Sequence, residues 1–230
     1  MDAYFSDHKD KRCLMLGGND FIGSKVIDFC TETGIHMGII DLETHKSKAL
    51  EEMFGPSYQC IDSGNQVSME NVVDQIITEM GDIDYIVCNY YLDQLRQEMK
   101  NQDESCLKWE EVLQDWGLNY FLLLKTIVAR FDDDKKRKIV FFNSARGYTG
   151  EGEGEGQLIA EGSIVEAACA SGVTGMMTSI ARSIIPKGYA VNGIALGEDY
   201  KEKWGHIEWA MNLWLTGIGE YSCGETYRVY

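Results

Sequence analysis

Short apolar runs alternate with helical stretches along the whole chain, and this alternation constrains the fold more than any single motif. CLML (13–16), His36–Asp41, Tyr58–Ile61, Tyr85–Cys88, KIVFF (138–142) and Val191–Leu196 read as strands. Between them, Phe21–Thr31 reads as a helix, and a polar helix runs to Phe54. A third helix carries Val72, Val73, Ile76, Ile77 and Met80 on one face and is closed by Gly81. Further helices are predicted over roughly 109–131, over Ser163–Ile185 and over Ile207–Leu215. Apolar strands that each lead into a helix belong in a parallel sheet covered on both faces. Right-handed crossovers then give a doubly wound Rossmann sheet, α/β in class. A length of 230 residues, only two prolines and no linker-like stretch predict one domain over 1–230.

Charge and composition narrow the partners. A net charge of −16 opposes binding to nucleic acid or to an anionic membrane, because both would repel the chain. No apolar run is long enough to span a bilayer, and the polar start MDAYFSDHKDKR does not read as a signal peptide. The seven cysteines (13, 30, 60, 88, 106, 169, 223) are odd in number and lack C-x-x-C spacing, which predicts reduced thiols in a cytoplasmic protein. Four isolated histidines predict no metal site. TGEGEGEGQ (149–157) is of low complexity and reads as an acidic loop.

The first strand–helix turn is GGNDFIG, Gly17–Gly23, the context in which a glycine-rich loop cradles a dinucleotide phosphate. Gly17 suits the tight turn and Gly23 the close helix–strand packing, with Gly18 beside them. The middle glycine of such a loop, which lets backbone approach pyrophosphate, falls on Asp20 or on Phe21 depending on the spacing used. Asp20 has two readings. It faces the diphosphate, where unit charges about 4 Å apart cost on the order of 1 to 4 kcal/mol, or it caps the helix. Asp41 ends the second strand eighteen residues beyond Gly23. That is the place of an acid that holds the adenosine ribose, and also of an ordinary strand-end cap.

The stretch GMMTSIARSIIPKGYAVN, Gly175–Asn192, resembles the late helix and following strand of the short-chain dehydrogenase/reductase family. The resemblance extends over essentially the whole chain and implies NAD as cofactor and a small carbonyl or alcohol as substrate. Asp62, after the third strand, matches the family's adenine-contacting acid. Asn89, in IVCNYY, matches the asparagine of the fourth strand, with Tyr90 and Tyr91 standing where the family has small residues that give the cofactor room. Asn119 matches the asparagine that holds a relay water, and Ser144 the serine that bonds the substrate carbonyl. The family's Tyr and Lys fall on Glu166 and Ala170. No cation stands at 170 to depress a neighbour's pKa or to hold the nicotinamide ribose. The lid after Leu196–Gly197 is cut to EDYKEKWGH.

Two functions are therefore expected. One is a divergent relative with a weak or lost NAD site, acting as a non-catalytic binding or scaffold subunit. The other is an NAD(H)-linked oxidoreductase in which Ser144, Glu166 or Tyr148 improvises the proton transfer. The family pairs through its two long helices, which implies a homodimer, or a heteromer with an active paralogue, through 109–131 and 163–185. Leu122, Leu123, Ile127 and Met176 are the expected apolar contacts.

Overall fold

Seven parallel strands form a single sheet in the order β3-β2-β1-β4-β5-β6-β7. The strands are β1 (Arg12–Leu16), β2 (His36–Leu42), β3 (Tyr58–Ile61), β4 (Tyr85–Asn89), β5 (Arg137–Ser144), β6 (Tyr189–Leu196) and β7 (Thr226–Val229). The helices are α1 (Phe21–Thr33), α2 (Lys48–Phe54), α3 (Gln66–Met80), α4 (Asn119–Val128), the short α5 (Arg146–Thr149), α6 (Ser163–Ile184) and α7 (Trp204–Leu215). The computed structural model describes residues 8–62, 64–89, 117–131, 135–149, 163–197 and 199–229. Tyr90, Tyr91, Cys106, the acidic run over 150–157, the start of the helix expected from 109, and the side chain of Tyr148 lie outside this description.

Alternating side chains divide each central strand between two cores. From β1, Leu14 and Leu16 join Val73, Ile76, Leu123, Ile127, Val173 and Met177 beneath α3, α4 and α6. Cys13 and Met15 point the other way, to Val26, Phe29, Ile207 and Met211 beneath α1 and α7. The doubly wound arrangement expected from the alternation is thus observed, with helices on both faces. Strand order reverses between β1 and β4, which opens a crevice at their carboxyl ends.

Several elements extend beyond their expected bounds for physical reasons. Helix α1 continues to Thr33, where Gly34 adopts φ 74° and its N–H closes the last turn on the Cys30 and Thr31 carbonyls. Strand β5 starts one residue before its expected bound, at Arg137, and runs on to Ser144. The Arg137 guanidinium pairs with Asp82 at 2.8 Å and lies 4.4 Å from the Phe131 ring centre. The Lys138 ammonium donates to the Leu215 and Thr216 carbonyls at the end of α7, at 2.9 and 2.6 Å. Paired in this way, both cations are buried within the strand. Helix α4 ends at Val128, not at Phe131, and Arg130 closes a tighter turn onto Ile127. Helix α7 begins at Trp204, three residues before its expected start.

Among the described residues, the six cysteines are free thiols, no group of His, Cys, Asp and Glu is placed to hold a metal ion, and no helix is long and apolar enough to cross a membrane. Leu123 and Ile127 belong to the core, which corrects their expected place on an interface; Leu122 and Met176 are only partly buried.

Candidate functional site

The first turn is built by backbone demands that glycine alone meets. Gly17 adopts φ 84°, and a Cβ there would sit 3.0 Å from the Asn89 carbonyl oxygen and 3.2 Å from the Tyr120 hydroxyl. A Cβ on Gly23 would overlap the Gly18 carbonyl, so the start of α1 presses directly on the turn. Asp20 is the N-cap of α1, in extended conformation, and its carboxylate accepts the Gly23 N–H at 2.7 Å. The Asn89 amide donates to both oxygens of that carboxylate, at 3.0 and 2.9 Å, and to the Gly17 carbonyl at 3.1 Å. Of the two readings of Asp20, capping is the observed one. An anion therefore already rests on the positive end of α1, and it belongs to the chain itself.

Asp41 is turned inward. Its carboxylate accepts the Gly18 N–H at 2.6 Å and the Tyr58 hydroxyl at 3.0 Å. The Tyr58 oxygen in turn accepts the Ser47 N–H at 2.8 Å, at the cap of α2. Only 2% of Asp41 is exposed. Burial pushes its carboxyl up to about 6; the bonds from Gly18 and Tyr58 oppose that rise, and the nearby Asp20 charge adds to it. The Tyr58 phenol is also raised, chiefly by burial. Asp62 is exposed just beyond β3, and its backbone carbonyl accepts the Asn65 N–H.

The short segment after β6 packs onto the same end of α1. The buried Tyr200 meets Phe21 edge-on at 5.7 Å between ring centres, and Trp204 meets it at 6.4 Å. Lys201 places its ammonium 5.3 Å from the Phe21 ring centre. Phe21, which replaces a glycine in one spacing of the motif, is thus the anchor on which this segment rests.

At the carboxyl end of β5, Ser144 and Glu166 are brought together. The Ser144 hydroxyl donates to Glu166 Oε1 at 2.6 Å, and the two residues are 5% and 4% exposed. Arg146 completes the group. Its backbone N–H donates to Ser144 Oγ at 3.3 Å, and its Nε lies 3.5 Å from Glu166 Oε2. Asn143 fixes the strand to α6, its amide donating to the Ala170 carbonyl at 2.7 Å and to Thr174 Oγ1 at 3.1 Å. Ala170 lies under α5: a Cβ on Gly147 would come within 2.6 Å of the Ala170 carbonyl carbon and 2.7 Å of its Cβ. Asn119, at the start of α4, accepts the Gly64 N–H at 3.2 Å and so holds the loop after β3.

The expected residues fall into two groups. Gly17, Gly18, Gly23, Asp41 and Asn89 gather at the β1–α1 turn, while Ser144 and Glu166 meet on β5 and α6. Asn119 reaches the β3 loop, and Asp62 joins neither group among the described residues. Arg146, Tyr58 and Tyr200 were missed by sequence reasoning. Arg146 alone had a local signal, standing two residues beyond Ser144 in SARG.

A parallel sheet covered by helices on both faces, with a glycine turn at its first strand, defines a doubly wound α/β protein. The family model described as short chain dehydrogenase matches residues 11–199, and the chain belongs to that family. Among its curated relatives, the 3-oxoacyl-(acyl-carrier-protein) reductase FabG of Escherichia coli (strain K12) is 22% identical over 189 residues, covering 81% of this chain and 72% of the relative. The probable galactose dehydrogenase GalD of Rhizobium meliloti (strain 1021) is 22% identical over 220 residues, covering 93% and 79%. Among solved structures, the enoyl-(acyl-carrier-protein) reductase (NADH) of Aquifex aeolicus VF5 superposes with a TM-score of 0.77 at 12% identity, covering 96% of this chain and 95% of the other. A short-chain dehydrogenase/reductase of Serratia marcescens gives 0.70 at 14%, covering 97% of each. These structural likenesses carry the fold.

Proposed function

We propose that this chain is a member of the short-chain dehydrogenase family that binds NAD(H) weakly or not at all and serves as a non-catalytic binding or scaffold subunit. One observation carries the reading: the Asp20 carboxylate sits on the amide end of α1, held there by Gly23 and Asn89. A pyrophosphate would have to displace that anion or lie beside it, at a cost on the order of 1 to 4 kcal/mol for charges about 4 Å apart. Asp41 supports the same reading, because the acid that would hold the ribose hydroxyls is engaged by Gly18 and Tyr58. The residues present do not fit the dinucleotide well at either place.

The test is calorimetric titration of the full chain with NADH and NADPH. Wild type is expected to show no binding at micromolar concentrations. Asp20→Asn keeps a capping oxygen and removes the charge, and it is expected to tighten binding about tenfold, the equivalent of 1.4 kcal/mol. Low-micromolar affinity in wild type would overturn the proposal, and no gain in the variant would overturn its explanation.

The runner-up is an NAD(H)-linked oxidoreductase acting on a small carbonyl or alcohol. The 2.6 Å contact between Ser144 and Glu166 favours it, since an ionisable group stands beside the serine at the place of the family's tyrosine. A cytoplasmic location goes with the proposal, and the free thiols support it.

The scaffold role includes association through α4 and α6, either as a homodimer or with an active paralogue. Gly172 and Gly175 are exposed on α6, and a Cβ at either would meet open space in the isolated chain. Light scattering at micromolar concentration is expected to give twice the 26.0 kDa chain mass. Gly172→Glu with Gly175→Glu is expected to reduce this to the monomer without loss of fold. A wild-type monomer would remove the homodimer form, and a dimer that persists in the double variant would place the interface elsewhere.

A further inference from the structure

We propose that the groove beneath the start of β2 is a binding site for a small carboxylate with an aromatic body, held by Arg12 and His36 at the end of the sheet away from the glycine turn. The groove measures about 620 Å³, within the range of small-molecule sites. Arg12 opens β1 and the glycine turn follows Leu16, so at roughly 3.3 Å per residue about 13 Å of strand separates the two places. The inference goes beyond the proposed function and holds whether or not NAD(H) binds.

Strand register and face place the two donors side by side. Arg12 and His36 are partners on the parallel strands β1 and β2, which lie about 4.8 Å apart. Leu14 and Ile40 share the core beneath α3, so Arg12 and His36, an even number of residues earlier, start on that same face. The Arg12 backbone N–H is taken by Asp84 Oδ2 at 3.0 Å, which anchors the strand without using the side chain. The guanidinium stands beside Gly81 at the end of α3 and donates to the Asp82 carbonyl at 3.5 Å, the outer limit of a hydrogen bond. Among the described residues the His36 ring has no hydrogen-bond partner. A guanidinium is always charged and carries five N–H donors, and an imidazole offers at least one. Together they suit the two oxygens of a carboxylate.

Much of the remaining wall is apolar. Met80 is buried and pressed so closely on β2 that a Cβ on Gly38 would overlap its sulfur. Met37 and Phe54, both half-buried, also line the groove. Aromatic rings pack favourably against thioethers, which suits a ligand with a ring behind its carboxylate. The lining carries one acid, Glu79, which is exposed and pairs with no cation among the described residues. The chain as a whole carries −16, and that field favours a cationic ligand. A preference for an anion therefore has to arise locally, here from the donors of Arg12 and His36.

A matched set of probes tests this directly: 3-phenylpropionate, 3-phenylpropanol and 3-phenylpropylamine share a ring and differ at the polar end. Each is titrated into the full chain while the backbone amide resonances of Arg12, His36, Met37, Phe54 and Glu79 are followed by NMR, with Gly17, Gly18 and Gly23 as the remote reference. The carboxylate is expected to shift the groove resonances with at least about tenfold higher affinity than the alcohol, the difference that charge-assisted bonds make. The amine is expected to bind more weakly than either. Arg12→Gln is expected to remove the preference for the acid, and Glu79→Gln to strengthen carboxylate binding about two- to threefold by removing a like charge. Alcohol or amine binding as tight as that of the acid overturns the inference. So does the absence of any shift at millimolar concentration, a set of shifts confined to the glycine turn, or an unchanged preference in an Arg12→Gln variant whose spectrum otherwise matches wild type. NADH titration alongside separates the two readings: tight cofactor binding with the acid preference intact would sink the proposed function and leave this inference standing.

Discussion

Glu166→Tyr combined with Ala170→Lys is expected to leave carbonyl reduction undetectable, and the lysine to lower stability by about 3 kcal/mol or more. The pair would put back the side-chain types that the family uses for proton transfer, yet the surroundings of 170 have closed over. Ala170 is 3% exposed. The backbone of Gly147 lies against it, near enough that a Cβ on Gly147 would be 2.6 Å from the Ala170 carbonyl carbon, and Ser171 Oγ donates to the Gly147 carbonyl at 3.0 Å. Four methylenes and an ammonium have to displace α5 or be buried beneath it. Overpacking alone costs roughly 1 to 3 kcal/mol, and an unpaired buried charge costs more. Wild type is expected to be equally inactive, because general acid–base assistance contributes about 10²- to 10⁴-fold and Ala170 supplies no cation to support it. The measurements are urea unfolding of Ala170→Lys, and NADH and NADPH consumption over a panel of ketones and aldehydes with wild type, Glu166→Gln, Ser144→Ala and the double variant. Wild-type stability in Ala170→Lys would show that α5 yields. Robust wild-type turnover removed by Glu166→Gln would identify Glu166 as the acid and decide for the oxidoreductase reading.

The parts of the site that sequence reveals are those fixed locally. Gly17 and Gly23 are legible because a left-handed turn and a helix pressed on a carbonyl exclude every other residue. The cap by Asp20 is legible because its partner is three residues away. Tyr58 is seventeen residues from the acid it bonds, on the neighbouring strand, and its contact with Asp41 depends on the register between β2 and β3. Arg146 reaches Glu166 across twenty residues that include the acidic run, so no spacing in the chain foretells it. The same limit explains the expected interface. Helix α4 is apolar on nearly every side, and sequence alone does not say which leucines face the sheet; Leu123 and Ile127 do. The start of β5 was obscured for the opposite reason, since Arg137 is a charged residue buried there by a partner on another element.

Between pH 4 and pH 7, Asp41 is expected to make the protein less stable as pH rises, by about 3 kcal/mol. Its carboxyl is raised in the folded state from 3.8 to about 6. A shift of about two units corresponds to about 3 kcal/mol. The folded chain therefore holds a proton that the unfolded chain releases, and stability falls wherever the folded state binds more protons. The contribution is fully present below pH 3.8 and is lost as pH climbs through 6. Asp82 and Asp84 oppose it at the acid end: against the effect of burial, Lys135 and Arg137 hold Asp82 below the usual carboxylate range, the Arg12 backbone N–H with Lys135 and Lys11 does the same for Asp84, and their stabilisation disappears on acidification. A difference measurement isolates Asp41. Asp41→Asn keeps an oxygen for the Gly18 N–H, and the Tyr58 hydroxyl has the Cys60 sulfur as an alternative partner. Urea unfolding of both proteins at pH 4.5 and 7.5 is expected to show the variant gaining on wild type at the higher pH. A difference that does not change with pH, or that favours wild type at pH 7.5, would mean that Asp41 keeps an ordinary carboxylate pKa. That outcome would return it to the role of a charged acid open to a ribose, and with it much of the case for NAD binding.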